Sequence, residues 1–64
     1  MKRKDFERHL LKNKCFKLRE GGNHTIWQNE SNEKQSSVPR HNELVKVLCI
    51  VICKQLEIQN PFFP

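Results

Sequence analysis

Cys15-Phe16-Lys17-Leu18-Arg19-Glu20-Gly21-Gly22-Asn23-His24-Thr25-Ile26-Trp27-Gln28-Asn29 is the stretch whose reading decides the fold. From Cys15 to Glu20 apolar and charged residues alternate, Phe16 and Leu18 against Lys17 and Arg19, which is the period of a half-buried strand. Gly21-Gly22 follows at once, and tight primed turns need a positive φ that glycine accepts cheaply. A second strand over residues 23–29 completes a hairpin. A two-residue turn places Glu20 opposite Asn23, Arg19 opposite His24, Leu18 opposite Thr25, Lys17 opposite Ile26 and Phe16 opposite Trp27. Directly opposed residues share a face. Phe16, Leu18 and Trp27 are therefore expected in the core, and Lys17, Arg19, His24 and Ile26 together on the uncovered side. A one-residue change in turn length would reverse the assignment on one strand.

Outward from the hairpin, Glu30-Ser31-Asn32-Glu33-Lys34 is a polar turn leading to a third strand over residues 35–38, which Pro39 ends. Before the hairpin, residues 3–13 read as a helix, with Phe6 and Leu10 four apart on one face and Leu11 beside them. After it, Asn42 or a neighbour can cap a helix over residues 43–56. That helix is apolar around most of its circumference. Leu44, Leu48 and Ile52, joined by Val51 and Leu56, would satisfy a core, leaving Val45 and Ile50 exposed as a candidate protein contact. The order helix, strand, strand, strand, helix specifies an α+β domain: a three-stranded antiparallel sheet with both helices on one face. The domain is expected over residues 1–58, with residues 59–64 as a C-terminal tail whose Pro61 cannot continue the helix.

With 64 residues there is room for one domain and none for a deep cofactor pocket, so any chemistry belongs on an open surface and no cofactor is expected. The formal net charge is +5, and Lys2, Arg3, Lys4, Arg8, Lys12, Lys14, Lys17 and Arg19 crowd the N-terminal part, a field that attracts phosphate polymers. No apolar stretch resembles a secretory signal, and the longest apolar run, Val47 to Ile52, is too short to span a bilayer, so a cytoplasmic protein without a membrane partner is expected. Cys15, Cys49 and Cys53 cannot all pair within one chain and are expected as free, buried thiols. No CxxC and no closely spaced Cys/His pair appears, so no metal centre is expected.

RNA carries its own nucleophile, the 2′-hydroxyl. A protein that cuts it needs chiefly a group to move a proton and cations to stabilise charge on the phosphorus oxygens. His24, beside Lys17 and Arg19 on the uncovered face, suits the first task, because an imidazole with an ordinary pKa of about 6.5 exchanges protons near neutrality. Chemistry alone does not separate His24 from His9 or His41.

The run Leu18-Arg19-Glu20-Gly21-Gly22-Asn23-His24-Thr25-Ile26-Trp27 resembles the glycine-x-histidine hairpin of HicA toxins, and Ser37-Val38-Pro39-Arg40-His41 resembles their third strand with its proline exit. Met1-Lys2-Arg3-Lys4-Asp5, Cys15 and Ile52-Cys53-Lys54-Gln55-Leu56 extend the likeness over almost the whole chain, the tail excepted. The resemblance implies a double-stranded-RNA-binding-like fold, ribosome-independent cleavage of mRNA, and neutralisation by a HicB-type antitoxin. It also implies that the histidine of the hairpin, here His24, is catalytic. Asn23 stands where the family often has serine and retains hydrogen-bonding capacity toward phosphate. Glu57 stands where the last helix of the family commonly ends on glycine, which removes an easy left-handed stop.

Double-stranded-RNA-binding folds use the first helix, a loop and the start of the last helix on the nucleic-acid backbone, which brings Arg3, Lys4, Arg40 and His41 into consideration beside Lys17, Arg19 and Asn23. The leading expectation is thus a metal-independent endoribonuclease acting on mRNA, with an antitoxin partner and a candidate self-contact through Val45 and Ile50. Against it stand a non-catalytic RNA-binding module, a decayed toxin, and a small interaction protein whose functional surface is the apolar last helix.

Overall fold

A computed structural model describes residues 1–63. Its elements are α1 (Arg3–Lys12), β1 (Cys15–Glu20), β2 (His24–Asn29), β3 (Gln35–Pro39) and α2 (Lys46–Leu56), and the strands form one antiparallel sheet in the order β1-β2-β3. One face of this sheet is covered by the helices, the α+β arrangement expected from the pattern of apolar residues. Thr25, Trp27 and Asn29 on β2 and Ser36 and Val38 on β3 alternate into the buried layer. Phe6 and Leu10 meet them from α1, one helical turn apart, while Leu11 is left exposed. Full burial of side chains such as Trp27, Phe6, Leu10, Ile52 and Leu56 is worth about 1.5–3 kcal/mol each and supplies most of the drive to this small core.

α2 resolves its own ambiguity through two cysteines. Its buried residues are Cys49, Ile52, Cys53 and Leu56, the spacing of one helical face, with Leu48 only partly covered. The face is therefore rotated from the expected leucine stripe toward the small thiols, and Val51 turns outward. Val45 is 70% exposed as expected, but Ile50 is half-buried, and Val47, at 71%, takes the exposed position instead.

The second helix also starts later than the sequence suggested. Residues 42–44 are held in an extended path by the N-terminal segment: Arg3 N–H donates to Asn42 C=O at 2.9 Å, Leu44 N–H to Met1 C=O at 2.8 Å, and Lys2 and Glu43 form an antiparallel bridge. Backbone groups paired in this way are not free to enter a helix. Val45 is the N-cap residue, without a side-chain cap, so Asn42 does not have the capping role expected of it. At the other end Glu57 adopts the left-handed conformation at φ 58°. Glu57 N–H donates to Lys54 C=O and Ile58 N–H to Cys53 C=O, the paired closure that usually calls for glycine. The backbone stop survives the loss of the residue that suits it. The following residues fold back, with Ile58 and Phe62 packed on the core and His9 Nε2–H donating to Gln59 C=O at 2.6 Å.

The hairpin departs from the expected register. Phe16 pairs with Gln28, Lys17 with Trp27, Arg19 with Ile26 and Glu20 with Thr25, with a bulge between Lys17 and Arg19. The turn is longer than two residues and is closed by Gly21 N–H to His24 C=O at 2.8 Å. Neither glycine has positive φ, so the primed turn inferred from Gly21-Gly22 is not formed. Beyond the bulge Phe16 faces away from the core, and Phe16 and Leu18 are 39% and 38% exposed, while Lys17 turns to the helix side, 3.8 Å from Glu7 and over the Trp27 ring. Arg19, on the turn side of the bulge, stays on the uncovered side opposite Ile26, because a turn two residues longer preserves its face; the extra residue at Leu18 is what reverses Phe16 and Lys17.

Candidate active-site groove

β2 begins at His24, and β2 and β3 pair with His24 opposite Pro39. The ladder runs one rung past the strand, because Arg40 N–H donates to Asn23 C=O at 3.0 Å. The Arg40 guanidinium also donates to Gly21 C=O, and Arg3 reaches the Arg40 carbonyl. These contacts fix the hairpin end against the chain that leaves β3, and the bridge between Lys2 and Glu43 fixes that chain against the N-terminus.

A groove of about 290 Å³ opens there, lined by His24, Pro39, His41 and Glu43 and by the apolar Leu44, Val45 and Leu48. It lies at the end of the sheet, where β3 gives way to α2, and not across the middle of the uncovered face. His24 and His41 are both exposed. Glu43 also lines a second groove of about 310 Å³, whose other walls are Lys2, Arg3, Lys4 and Asn42. A histidine-bearing cleft and a basic cleft therefore share a carboxylate-bearing wall.

The residues singled out in the sequence divide into three groups. His24, Asn23 and Arg40 are brought together at the hairpin end, and Arg3 and Lys4 stand in the adjoining groove. Arg19 is exposed on the uncovered face beside Ile26. Lys17 is separated from this group by its turn toward Glu7. Gly21 and Gly22 form the turn, but a Cβ at Gly21 would meet only His24 C=O at 3.5 Å and one at Gly22 nothing within 4 Å, so shape does not require glycine at either position. The sequence reading undervalued His41, Glu43 and the apolar wall. Pairing the third strand with the second from Pro39 backward would have brought Arg40 and His41 beside His24, the one signal available before the structure.

The three thiols line neither groove. Cys15, Cys49 and Cys53 are free and buried, and burial pushes the Cys53 thiol up to about 11, with Cys49 and Cys15 nearby adding to the shift. Burial likewise raises Cys15 and Cys49. They remain protonated at neutral pH and act as small core residues. Among the described residues no cluster of three metal-ligating side chains occurs, and no helix is long and apolar enough to cross a membrane.

The family model for the HicA toxin of bacterial toxin-antitoxin systems matches residues 3–58, from the start of α1 to the residue that closes α2. The chain belongs to the HicA toxin family. No curated protein and no solved structure matches it. The match spans all five elements of the fold. It assigns the chain a toxin's part in a toxin-antitoxin system, opposite an antitoxin.

Proposed function

We propose that this HicA-family chain is a ribosome-independent and metal-independent endoribonuclease that cleaves mRNA, with His24 exchanging protons in the reaction and a HicB-type antitoxin covering the site. The observation that carries this reading is the exposure of His24 in a groove that shares Glu43 with the basic groove of Lys2, Arg3 and Lys4. An RNA backbone following both grooves presents a phosphodiester to His24 while neighbouring phosphates meet the N-terminal cations. Arg40 and Asn23 supply donors at the hairpin end, and Arg19 adds positive charge on the adjoining face. Lys17, paired with Glu7, contributes through the field of the chain and not by contact.

The exposed apolar residues bear on the antitoxin. Val45 lines the histidine groove and is continuous along the chain with exposed Val47. A protein that buries Val45 therefore closes the groove as it binds, which joins neutralisation to affinity. Half-buried Ile50 has less surface to offer than Val47 and would be replaced by it in this contact.

The direct test is cleavage of a long single-stranded RNA in EDTA by purified, antitoxin-free protein and by His24→Ala. Cleavage by the wild type and loss of about 100-fold or more in the variant is expected, the range typical of removing a general acid or base. RNA retention without cleavage by either protein would make the chain a binding module, and equal cleavage by both would remove His24 from the mechanism. Binding should also weaken steeply as salt rises, because phosphate contacts release counterions.

A further inference from the structure

We propose that His41 is a second catalytic residue, and that His24 and His41 form a base-acid pair within one groove; this deepens the nuclease reading above and rests on it. Both imidazoles line the same cavity of about 290 Å³ and both are exposed. Their placement follows from the backbone. His24 pairs with Pro39, and the next rung joins Asn23 to Arg40, so the residue after Arg40 is delivered to the histidine end of β2. His41 cannot drift from this position freely, because Arg3 holds the carbonyl of Arg40 and the backbone N–H of Arg3 holds the carbonyl of Asn42.

Metal-independent cleavage through the 2′-hydroxyl asks for two proton transfers at opposite sides of phosphorus. A base takes the 2′-hydroxyl proton as O2′ bonds to phosphorus. The bond from phosphorus to O5′ breaks, and an acid gives a proton to that leaving oxygen. The products are a 2′,3′-cyclic phosphate and a 5′-hydroxyl; one histidine ends the step with a proton gained and the other with a proton lost, and no co-reactant is required. A lone histidine must serve both oxygens or leave one to water. Two histidines in one groove serve both, while Leu44, Val45 and Leu48 give that groove apolar surface against which a ribose or base can rest. The charged group facing the pair within the groove is Glu43, whose Oε2 is 3.3 Å from the α-amino group of Met1, with Arg40 and, 4.0 Å from it, Glu20 at the hairpin end.

The test compares wild type, His24→Ala, His41→Ala and His41→Gln on an RNA with a single cleavable linkage, and on the same RNA with sulfur in place of the bridging 5′-oxygen. A thiolate leaves without protonation, so that substrate dispenses with the acid alone. His41→Ala and His41→Gln are expected to cleave the natural linkage at least ~100-fold more slowly, with RNA affinity unchanged. The bell-shaped pH profile should lose one limb in each histidine variant, and the sulfur linkage should restore one of the two alanine variants and not the other. Because His41 is exposed, its replacements should keep the wild-type unfolding midpoint, which the same samples report. Wild-type cleavage with His41 variants within a few-fold of it would overturn the pairing, as would a loss confined to affinity or a failure of sulfur to restore either alanine variant. Absence of cleavage by the wild type on both substrates would instead overturn the nuclease reading on which the pairing rests.

Discussion

The two ends of the sheet treat polar side chains in opposite ways. At the end where β2 finishes, Asn29 is buried and its amide donates to Leu56 C=O at 2.8 Å while its carbonyl oxygen accepts from Ser31 N–H at 2.8 Å. Asn32 reaches the same Leu56 carbonyl, and Ser36 donates to Gln55 across to α2. At the end where β2 starts, His24, Arg40 and His41 are exposed, and the chain around them is ordered by backbone pairing and by arginine side chains that donate to backbone carbonyls. Buried polar groups must be satisfied by protein, so they close an end and fix its shape. Exposed ones need no partner and remain available to a substrate. On the proposed function, stability and chemistry are separated along the length of β2.

That contrast can be broken at the covered layer first. Trp27→Ala removes the largest fully buried side chain and should lower stability by about 3–5 kcal/mol, enough to leave much of so small a domain unfolded in a denaturant titration. Asn29→Ala should cost about 1–3 kcal/mol, since it strips a buried amide from the end of α2 and an acceptor from the following turn. Cleavage measured below the shifted unfolding midpoint should be unaffected, because Asn29 lies away from the groove; a catalytic defect without a stability defect would dissolve the division between the two ends.

Glu57→Gly sharpens the same division. A non-glycine residue in the left-handed region carries a penalty of about 1–2 kcal/mol, partly offset by the freedom glycine has in the unfolded chain. The variant should gain about 0.5–1 kcal/mol in thermal unfolding with unchanged cleavage. At neutral pH the smallest effect is expected from thiol reagents. The native protein should react slowly with them at pH 7–8, whereas a histidine reagent should modify His24 and His41 readily. The thiol contribution has a definite sign: Cys53 is raised from 9.0 to about 11, so the folded state holds that proton longer. Stability from this source is complete below pH 9 and is lost as pH rises toward about 11. A Cys53→Ala variant with the same alkaline decline would assign the loss to another group.

The sequence was most legible where local pattern and burial agree. Phe6, Leu10 and Trp27 read as core and are buried; the glycine pair marks the turn; His24 is exposed where the hairpin places it. It was least legible in β1, where two extra residues at the turn keep Arg19 on its expected face and the bulge at Leu18 shifts the rest of the strand by one, so Phe16 and Lys17 exchanged faces. α2 failed differently. Its apolar residues encircle the helix, so periodicity could not say whether leucines or cysteines face inward, nor that Ile50 would be half-buried and Val47 exposed.

Apolar spacing and chain punctuation determined the order of elements, the sidedness of β2 and, with the family's motifs, the membership of the chain, because these depend on residues close together in sequence. Only the tertiary structure decided the hairpin register, the late start of α2 and the meeting of His24 with His41. Those depend on hydrogen bonds between segments far apart, from Met1 and Arg3 to Leu44 and Asn42 and from Arg40 to Asn23, whose partners no local pattern names.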